Sequence, residues 1–178
     1  DHTTAAIAVA LGEAALPEFK VYATQIVANA KAFAAALLGG GFTLVTGGTD
    51  NHMLLVDLTP DGIGRGVFMQ EALDAVGITV NKNAIPGEPS SMFYPSGIRL
   101  GTPAATTRGM REGEMKLLAG WMAQVRGEAQ EFQLPEDREA RNQVLRQFRA
   151  WIKDNRRLTG IREEVRVLCR RFPVPGIS

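Results

Sequence analysis

The amino-acid sequence predicts an α+β fold, a small and largely antiparallel sheet with helices packed on it. Three observations predict it. Apolar residues recur at three- and four-residue spacing over the first forty residues, which is typical of helices. Four short apolar runs lie between residues 42 and 101, separated by turns rich in glycine and proline, which is typical of strands. A helical pattern then returns from about residue 112 onward.

The opening of the chain predicts two helices. Residues 3–15 form an alanine-rich run that Thr3 or Thr4 can cap. This run is apolar nearly all round, so we expect it to be buried in a larger structure. Pro17 starts a second, longer amphipathic helix over residues 18–38, and the three glycines that follow end it.

The middle of the chain predicts the sheet. The run at 53–58 is almost continuously apolar, so we expect both of its faces to be covered. A loop rich in proline and glycine occupies residues 83–96. The predicted elements in this part are strands at 42–45, 53–58, 78–81 and 97–101, and helices at 64–76 and 112–125.

The last fifty residues are dense in charge. Residues 126–171 contain twelve Lys or Arg and eight Asp or Glu. The apolar spacing predicts amphipathic helices over 137–155 and 160–171, with their charges on solvated faces.

Composition narrows the class of protein. The net charge of +1 gives the chain no field that favours nucleic acid or an anionic membrane, and no run of about 18 apolar residues is present. Cys169 is the only cysteine, which fits a reducing compartment, so we expect a cytoplasmic protein. The chain opens on Asp1 and runs at once into a helix, which indicates a cut through a longer chain or a trimmed one.

Arg99 is the residue most suggestive of a binding site. It stands between Gly97 and Gly101 in an otherwise apolar strand, where a buried charge is costly unless it is paired. Its planar guanidinium suits bidentate binding of a carboxylate or phosphate. The alternative is an ion pair with a structural Asp or Glu.

The segment Gly47–His52 invites a catalytic interpretation because it contains a histidine and a carboxylate. We favour a tight turn fixed by Asp50 and Asn51, with His52 in a structural hydrogen bond. The two histidines and the single cysteine have no metal-ligand spacing, so no metal site is expected. Lys82 lies in the predicted loop, but nothing indicates that it is a nucleophile.

Three ordered motifs stand out at residues 47–52, 78–86 and 96–104, with further segments at 2–11, 17–20, 29–32 and 162–175. In combination these segments resemble the serine hydroxymethyltransferase family. The loop departs from the usual family pattern at Met92, Tyr94 and Pro95, and the match is weaker over 126–160.

The resemblance implies a fold and a domain division. The chain would be the small C-terminal domain of an enzyme with the aspartate-aminotransferase-like fold, dependent on pyridoxal phosphate. Residues 1–16 would be the end of the large domain and its linking helix, and residues 17–178 the small domain. The C-terminal helices would occupy 126–178.

The resemblance also implies a reaction, the transfer of a one-carbon unit between serine and tetrahydrofolate that leaves glycine, in a homodimer. By this resemblance Arg99 binds the carboxylate of the amino acid. The residues that would line the folate pocket are Asn83, Ser91 and Phe93. The lysine that binds pyridoxal phosphate and the other catalytic residues would lie upstream of Asp1. The chain alone would then hold no cofactor and be inactive.

Two other interpretations are open at this point. One is a free-standing α+β domain that binds a ligand or another protein, although such a domain should not begin with an entirely apolar helix. The other is nucleic-acid binding through the basic segment from Arg126 to Arg171. Acidic residues are interleaved there and aromatic residues are few, so no clean basic stripe forms.

Overall fold

The computed structural model describes residues 1–176, and within them it confirms an α+β fold of seven α-helices and four strands. The helices are α1 (His2–Ala14), α2 (Pro17–Gly39), α3 (Arg65–Ala75), α4 (Pro103–Thr107), α5 (Glu112–Ala129), α6 (Arg138–Asp154) and α7 (Arg156–Arg171). The strands are β1 (Thr43–Leu44), β2 (Met53–Asp57), β3 (Asn81–Asn83) and β4 (Gly97–Gly101). A short 3-10 turn covers Thr59–Asp61.

The sheet is fully antiparallel, with the strand order β1-β2-β4-β3. Side chains alternate between its faces, as the pleat of a strand requires. Leu54 and Val56 of β2 and Ile98 and Leu100 of β4 are buried, and they belong to one core with α2, α3 and α5. The opposite face carries Arg99.

Two predictions about the strands are wrong. β3 is the polar run Asn81–Asn83, whereas Ile78 to Val80 lead into it without pairing. Val80 is buried and Ile78 packs against the core, so their apolar character reports burial and not strand pairing. β2 is covered on one face only, because Met53 is 40% exposed and Leu55 half-buried.

The first helix was predicted to be buried in a larger structure, and the described residues of this chain do not themselves cover it. Every residue of α1 is exposed, including Ile7, Val9 and Leu11. The apolar surface of these three residues is more than half accessible, at 55%, 62% and 67%. The described chain therefore leaves a long apolar helix without a covering layer.

The second helix, α2, packs along α5 and buries Ala30, Phe33 and Leu37. By length and composition it is also the one helix among the described residues that could cross a membrane. The core helix of a soluble protein passes the same test. Asn29, a polar residue, is fully buried in this helix.

The charge-dense tail folds as two amphipathic helices close to the predicted bounds. Asp137 caps α6 by accepting a hydrogen bond from Ala140 N (2.8 Å), and Asn155 caps α7 by accepting one from Leu158 N (2.9 Å). α6 buries Phe148 against Phe68 of α3, edge to face, with ring centroids 4.8 Å apart. α7 begins at Arg156, four residues earlier than predicted, because Asn155 provides the N-terminal cap.

Candidate functional site

Arg99 lies near the middle of β4, on the sheet face that points away from the core. Its backbone is opposite Asn81 of β3 on one side and Leu55 of β2 on the other. The side chain is exposed, whereas the surrounding apolar strand suggested a buried charge. Within residues 1–176 its guanidinium has neither an ion-pair nor a hydrogen-bond partner, so the structural Asp or Glu partner is not found.

An open depression of about 430 Å³ surrounds Arg99. Its floor is the backbone of β4 and the segment leading into β3. Polar side chains on the rim can donate or accept hydrogen bonds. The residues that line it are His52, Met53, Thr79, Val80, Asn81, Arg99, Leu100 and Gly101.

The glycines on either side of Arg99 are required by close packing. A Cβ on Gly97 would lie 2.6 Å from Ile85 Cγ2 and 2.8 Å from the carbonyl oxygen of Val56. A Cβ on Gly101 would lie 3.2 Å from the carbonyl oxygen of His52 and close to its ring. Arg99 is therefore the only side chain that β4 presents on this face. Ile85 lies against Gly97 on one side of it, and His52 lies against Gly101 on the other.

A buried polar network fixes the chain just after Arg99. Thr102 Oγ1 donates to the carbonyl oxygen of Ile26 (2.8 Å), which ties the end of β4 to α2. Asn29 Nδ2 donates to Thr106 Oγ1 and to the carbonyl oxygen of Met110, both at 2.9 Å. Fully satisfied buried polar groups of this kind hold one conformation.

The turn before β2 is confirmed, and one of the two residues that fix it is the predicted Asn51. Asn51 Oδ1 accepts from Met53 N (2.8 Å), and Thr49 Oγ1 donates to the carbonyl oxygen of Met53 (2.7 Å). Thr49 takes the place predicted for Asp50. The structural hydrogen bond predicted for His52 is made by its backbone carbonyl, which accepts from Thr102 N (3.1 Å), and His52 lines the Arg99 depression.

The three residues predicted to line a folate pocket lie on β3 and the loop that follows it. Asn83 is half-buried opposite Gly97, on the same sheet face as Arg99 and two residues along from its partner Asn81. Ser91 and Phe93 lie at the exposed tip of the loop, and Phe93 is 78% exposed. The structure thus places Asn83 on the same sheet face as Arg99 but outside the residues that line the depression, and it leaves Ser91 and Phe93 projecting from the loop.

Comparisons with known proteins decide the family. The family model described as "Serine hydroxymethyltransferase" matches residues 1–122. The chain belongs to the serine hydroxymethyltransferase family.

Similar proteins named serine hydroxymethyltransferase agree over nearly the whole chain. Those of Sorangium cellulosum and Acidothermus cellulolyticus are each 48% identical, over 99% and 100% of this chain. That of Legionella pneumophila strain Paris is 44% identical over 97%. The match covers 36%, 38% and 36% of these relatives, so the chain spans a little over a third of their length and corresponds to their C-terminal part.

The residues of this family member do not by themselves fit pyridoxal phosphate. A Schiff base with this cofactor needs a lysine amine in the site. Among residues 1–176, no lysine lines the Arg99 depression. Lys82, the nearest in sequence, donates from Nζ to the carbonyl oxygen of Phe93 (2.8 Å). The described part of the chain also contains no group of three metal-ligating side chains.

Sequence reasoning missed Glu88, which organises the loop. Its Oε1 accepts from Ser90 N (3.0 Å) and Ser96 Oγ (2.7 Å), and its Oε2 accepts from Ile85 N (3.2 Å) and Ser96 N (2.9 Å). Burial acts to raise the pKa of this carboxyl, but these hydrogen bonds outweigh it and hold the pKa below its ordinary value. One signal was present in the sequence: Glu88 is the only acidic residue between positions 75 and 111.

Arg65 was missed as well. It is 3% exposed at the start of α3, and its guanidinium donates to the carbonyl oxygens of Ala129 (3.1 Å) and Phe132. Burial lowers its pKa. Unlike Arg99, it has protein partners, and these hydrogen bonds join α3 to the end of α5.

Proposed function

We propose that this chain provides the amino-acid carboxylate site and one wall of the folate site in a pyridoxal-phosphate-dependent serine hydroxymethyltransferase. The enzyme would interconvert serine and tetrahydrofolate with glycine and methylenetetrahydrofolate. One observation carries the proposal. Arg99 is exposed in an open depression with polar side chains on its rim, on a strand fixed at both ends, with no partner for its charge among residues 1–176.

The role of Arg99 follows from the chemistry of its side chain. A guanidinium offers two parallel N–H donors that match the two oxygens of a carboxylate. Gly97 and Gly101 keep neighbouring side chains off the face where the amino acid would lie. A carboxylate held at two points can turn less freely, so the bonds at its Cα keep one orientation. Arg99 would thus bind and orient serine or glycine.

The folate part of the proposal uses Asn83, Ser91 and Phe93. Asn83 offers an amide beside the Arg99 face, and Ser91 offers a hydroxyl. The exposed ring of Phe93 offers an aromatic face against which a planar heterocycle can pack. Tetrahydrofolate has flat aromatic rings as well as polar edges, which fits this set of groups.

Pyridoxal phosphate would be held by the upstream part that the relatives possess and this chain does not span. When bound, it supplies an electron sink for the Cα of the amino acid. This chain, taken alone, would be inactive, because its own residues supply binding and orientation only. We further propose a homodimeric, cytoplasmic enzyme without nucleic-acid or membrane partners, in keeping with the net charge of +1 and the single cysteine.

The test is substitution of Arg99 in the full-length protein, or in this chain joined to the upstream part of the Sorangium cellulosum relative. We expect Arg99→Ala to lower kcat/KM for serine by about 100-fold or more, since a charged hydrogen-bonding pair contributes up to about 3 kcal/mol. The absorbance of bound pyridoxal phosphate should stay. Arg99→Lys should lower kcat/KM similarly, because the single ammonium group of lysine cannot make the two parallel hydrogen bonds of a guanidinium.

Arg166→Ala is the matched control, since Arg166 is exposed on α7 and pairs only with its neighbour Glu163 among the described residues. It should leave both kinetic constants unchanged. Near-normal turnover of serine by Arg99→Ala would show that the carboxylate assignment is wrong.

A further inference from the structure

The loop between β3 and β4 is closed by a single carboxylate. Glu88 accepts four hydrogen bonds, two at each oxygen, from residues on both arms of the loop. The donors are the backbone N–H groups of Ile85, Ser90 and Ser96 and the hydroxyl of Ser96. These bonds join positions that are up to eleven residues apart and so hold the two arms of the loop together. We call these four hydrogen bonds the Glu88 bracket.

The bracket is attached to the core through Ser96, which is fully buried. Ser96 Oγ accepts a hydrogen bond from Gly64 N (2.9 Å), and its carbonyl oxygen accepts one from Leu58 N (3.1 Å). The neighbouring carbonyl of Pro95 accepts from Gly66 N (3.0 Å). Glu88 therefore connects a surface loop to the segment that enters α3.

The tip of the loop has little burial of its own. Met92 and Phe93 are 77% and 78% exposed. Tyr94 N donates to the carbonyl oxygen of Ser91 (3.0 Å), and Lys82 donates to that of Phe93. A loop tip that is barely packed depends on hydrogen bonds to keep its shape. The Glu88 bracket supplies four of the hydrogen bonds on which the placement of Ser91 and Phe93 depends.

We propose that Glu88 is a positioning residue for folate, which holds the loop so that Ser91 and Phe93 are presented to the bound tetrahydrofolate before it arrives. This inference rests on the proposed function. Its physical basis is pre-organisation, because a loop already ordered in its binding conformation does not lose that conformational freedom when the ligand binds.

The carboxylate itself is required by the geometry. Both of its oxygens face two hydrogen-bond donors, and only an ionised carboxylate accepts at both positions. Glu88→Gln has almost the same shape but turns one oxygen into an NH₂ group, which would meet two donors. Glu88→Asp keeps both acceptors on a side chain that is one methylene shorter, so it should restore part of the bracket.

The experiment measures folate and serine kinetics in the full-length enzyme for Glu88→Gln and Glu88→Asp. We expect Glu88→Gln to raise KM for tetrahydrofolate by about tenfold, with KM for serine and kcat changed by less than about twofold. Glu88→Asp should lie between Glu88→Gln and the unmodified enzyme. Glu131→Gln makes the same chemical change at an exposed position and should have no effect.

Hydrogen–deuterium exchange gives a second measurement that does not depend on activity. The amides of residues 85–96 should exchange faster in Glu88→Gln, with α2 and α5 unchanged. An unchanged KM for tetrahydrofolate, or equal losses for serine and folate, would overturn the positioning role. An unmodified enzyme that does not use tetrahydrofolate would instead overturn the proposed function, and exchange would still show whether Glu88 holds the loop.

Discussion

The protonation state of Glu88 couples the loop to pH. Its pKa is held below the ordinary value of 4.5, so the folded state favours the charged form. A group with a depressed folded pKa contributes stability that is complete above its unfolded pKa and is lost as the pH falls through the folded value. All four donors to Glu88 are uncharged, so this contribution comes from hydrogen bonds and changes little with salt.

We therefore expect the loop amides to lose protection as the pH falls below about 4.5, the ordinary pKa of a glutamate. Hydrogen exchange of residues 85–96, corrected for the intrinsic pH dependence of exchange, measures this. In Glu88→Gln the same amides should be less protected at pH 7. Their protection should also depend less on pH between 3 and 6, and the difference from the unmodified protein should correspond to the loss of about one titrating group. An identical pH profile in both proteins would contradict the assignment.

At the level of single residues, the sequence predicted chemical type better than environment. Arg99 was found because an arginine between glycines in an apolar strand is unusual, but its exposure was not foreseen, since an apolar run gives no sign that one sheet face is open. Glu88 was missed because a proline- and glycine-rich loop resembles an ordinary turn. Its four hydrogen bonds come from residues that only the folded loop brings together.

The helices were predicted more accurately than the strands for a physical reason. A helix satisfies its backbone within its own sequence, so spacing and capping residues mark its limits. A strand is defined by its partner, so Ile78 to Val80 carried strand-like residues without pairing. The five-residue helix α4 was not predicted, as its hydrogen bonds to α2 are not visible in a local pattern.

Packing of α6 against α3 depends on a cluster of aromatic rings. Phe148 is fully buried, and its ring contacts those of Phe68, Phe132 and Trp151 at centroid distances of 4.8 to 5.4 Å. We expect Phe148→Ala to lower the free energy of unfolding by about 3–5 kcal/mol, the usual cost of removing a buried aromatic side chain. Urea or thermal unfolding followed by circular dichroism measures it.

Arg146→Ala provides the comparison for this change, because Arg146 is exposed on the same helix. Its effect should stay within about 0.5 kcal/mol. Equal effects of the two substitutions would mean that α6 is not held by its aromatic side.

For the molecule as a whole, α1 presents an uncovered apolar surface. The apolar composition predicted a helix buried in a larger structure, and the described chain supplies no such cover. Exposed apolar surface of this kind favours association. The exposure of α1 therefore fits the prediction that its cover comes from outside the described residues.

The isolated chain should bind a dye that fluoresces on exposed apolar surface, and its mass in light scattering should rise with concentration. We expect the double substitution Val9→Lys and Leu11→Lys to reduce both signals, since it places charge on the two most exposed apolar positions of α1. Val167→Lys, on an exposed apolar residue of α7, serves as the control and should change neither. Equal dye binding in all three proteins would locate the apolar surface elsewhere.

The lengths of the outer strands restrict how this molecule can meet another. The sheet ends on β1, with two residues, and on β3, with three. Strands this short present few free backbone groups, so they are poor templates for a second chain to pair with. Recognition by strand addition is thereby disfavoured at both edges of the sheet. Contacts with another polypeptide would then be made mainly by side chains, such as those of the exposed helix α1, and their specificity would depend on surface shape and composition.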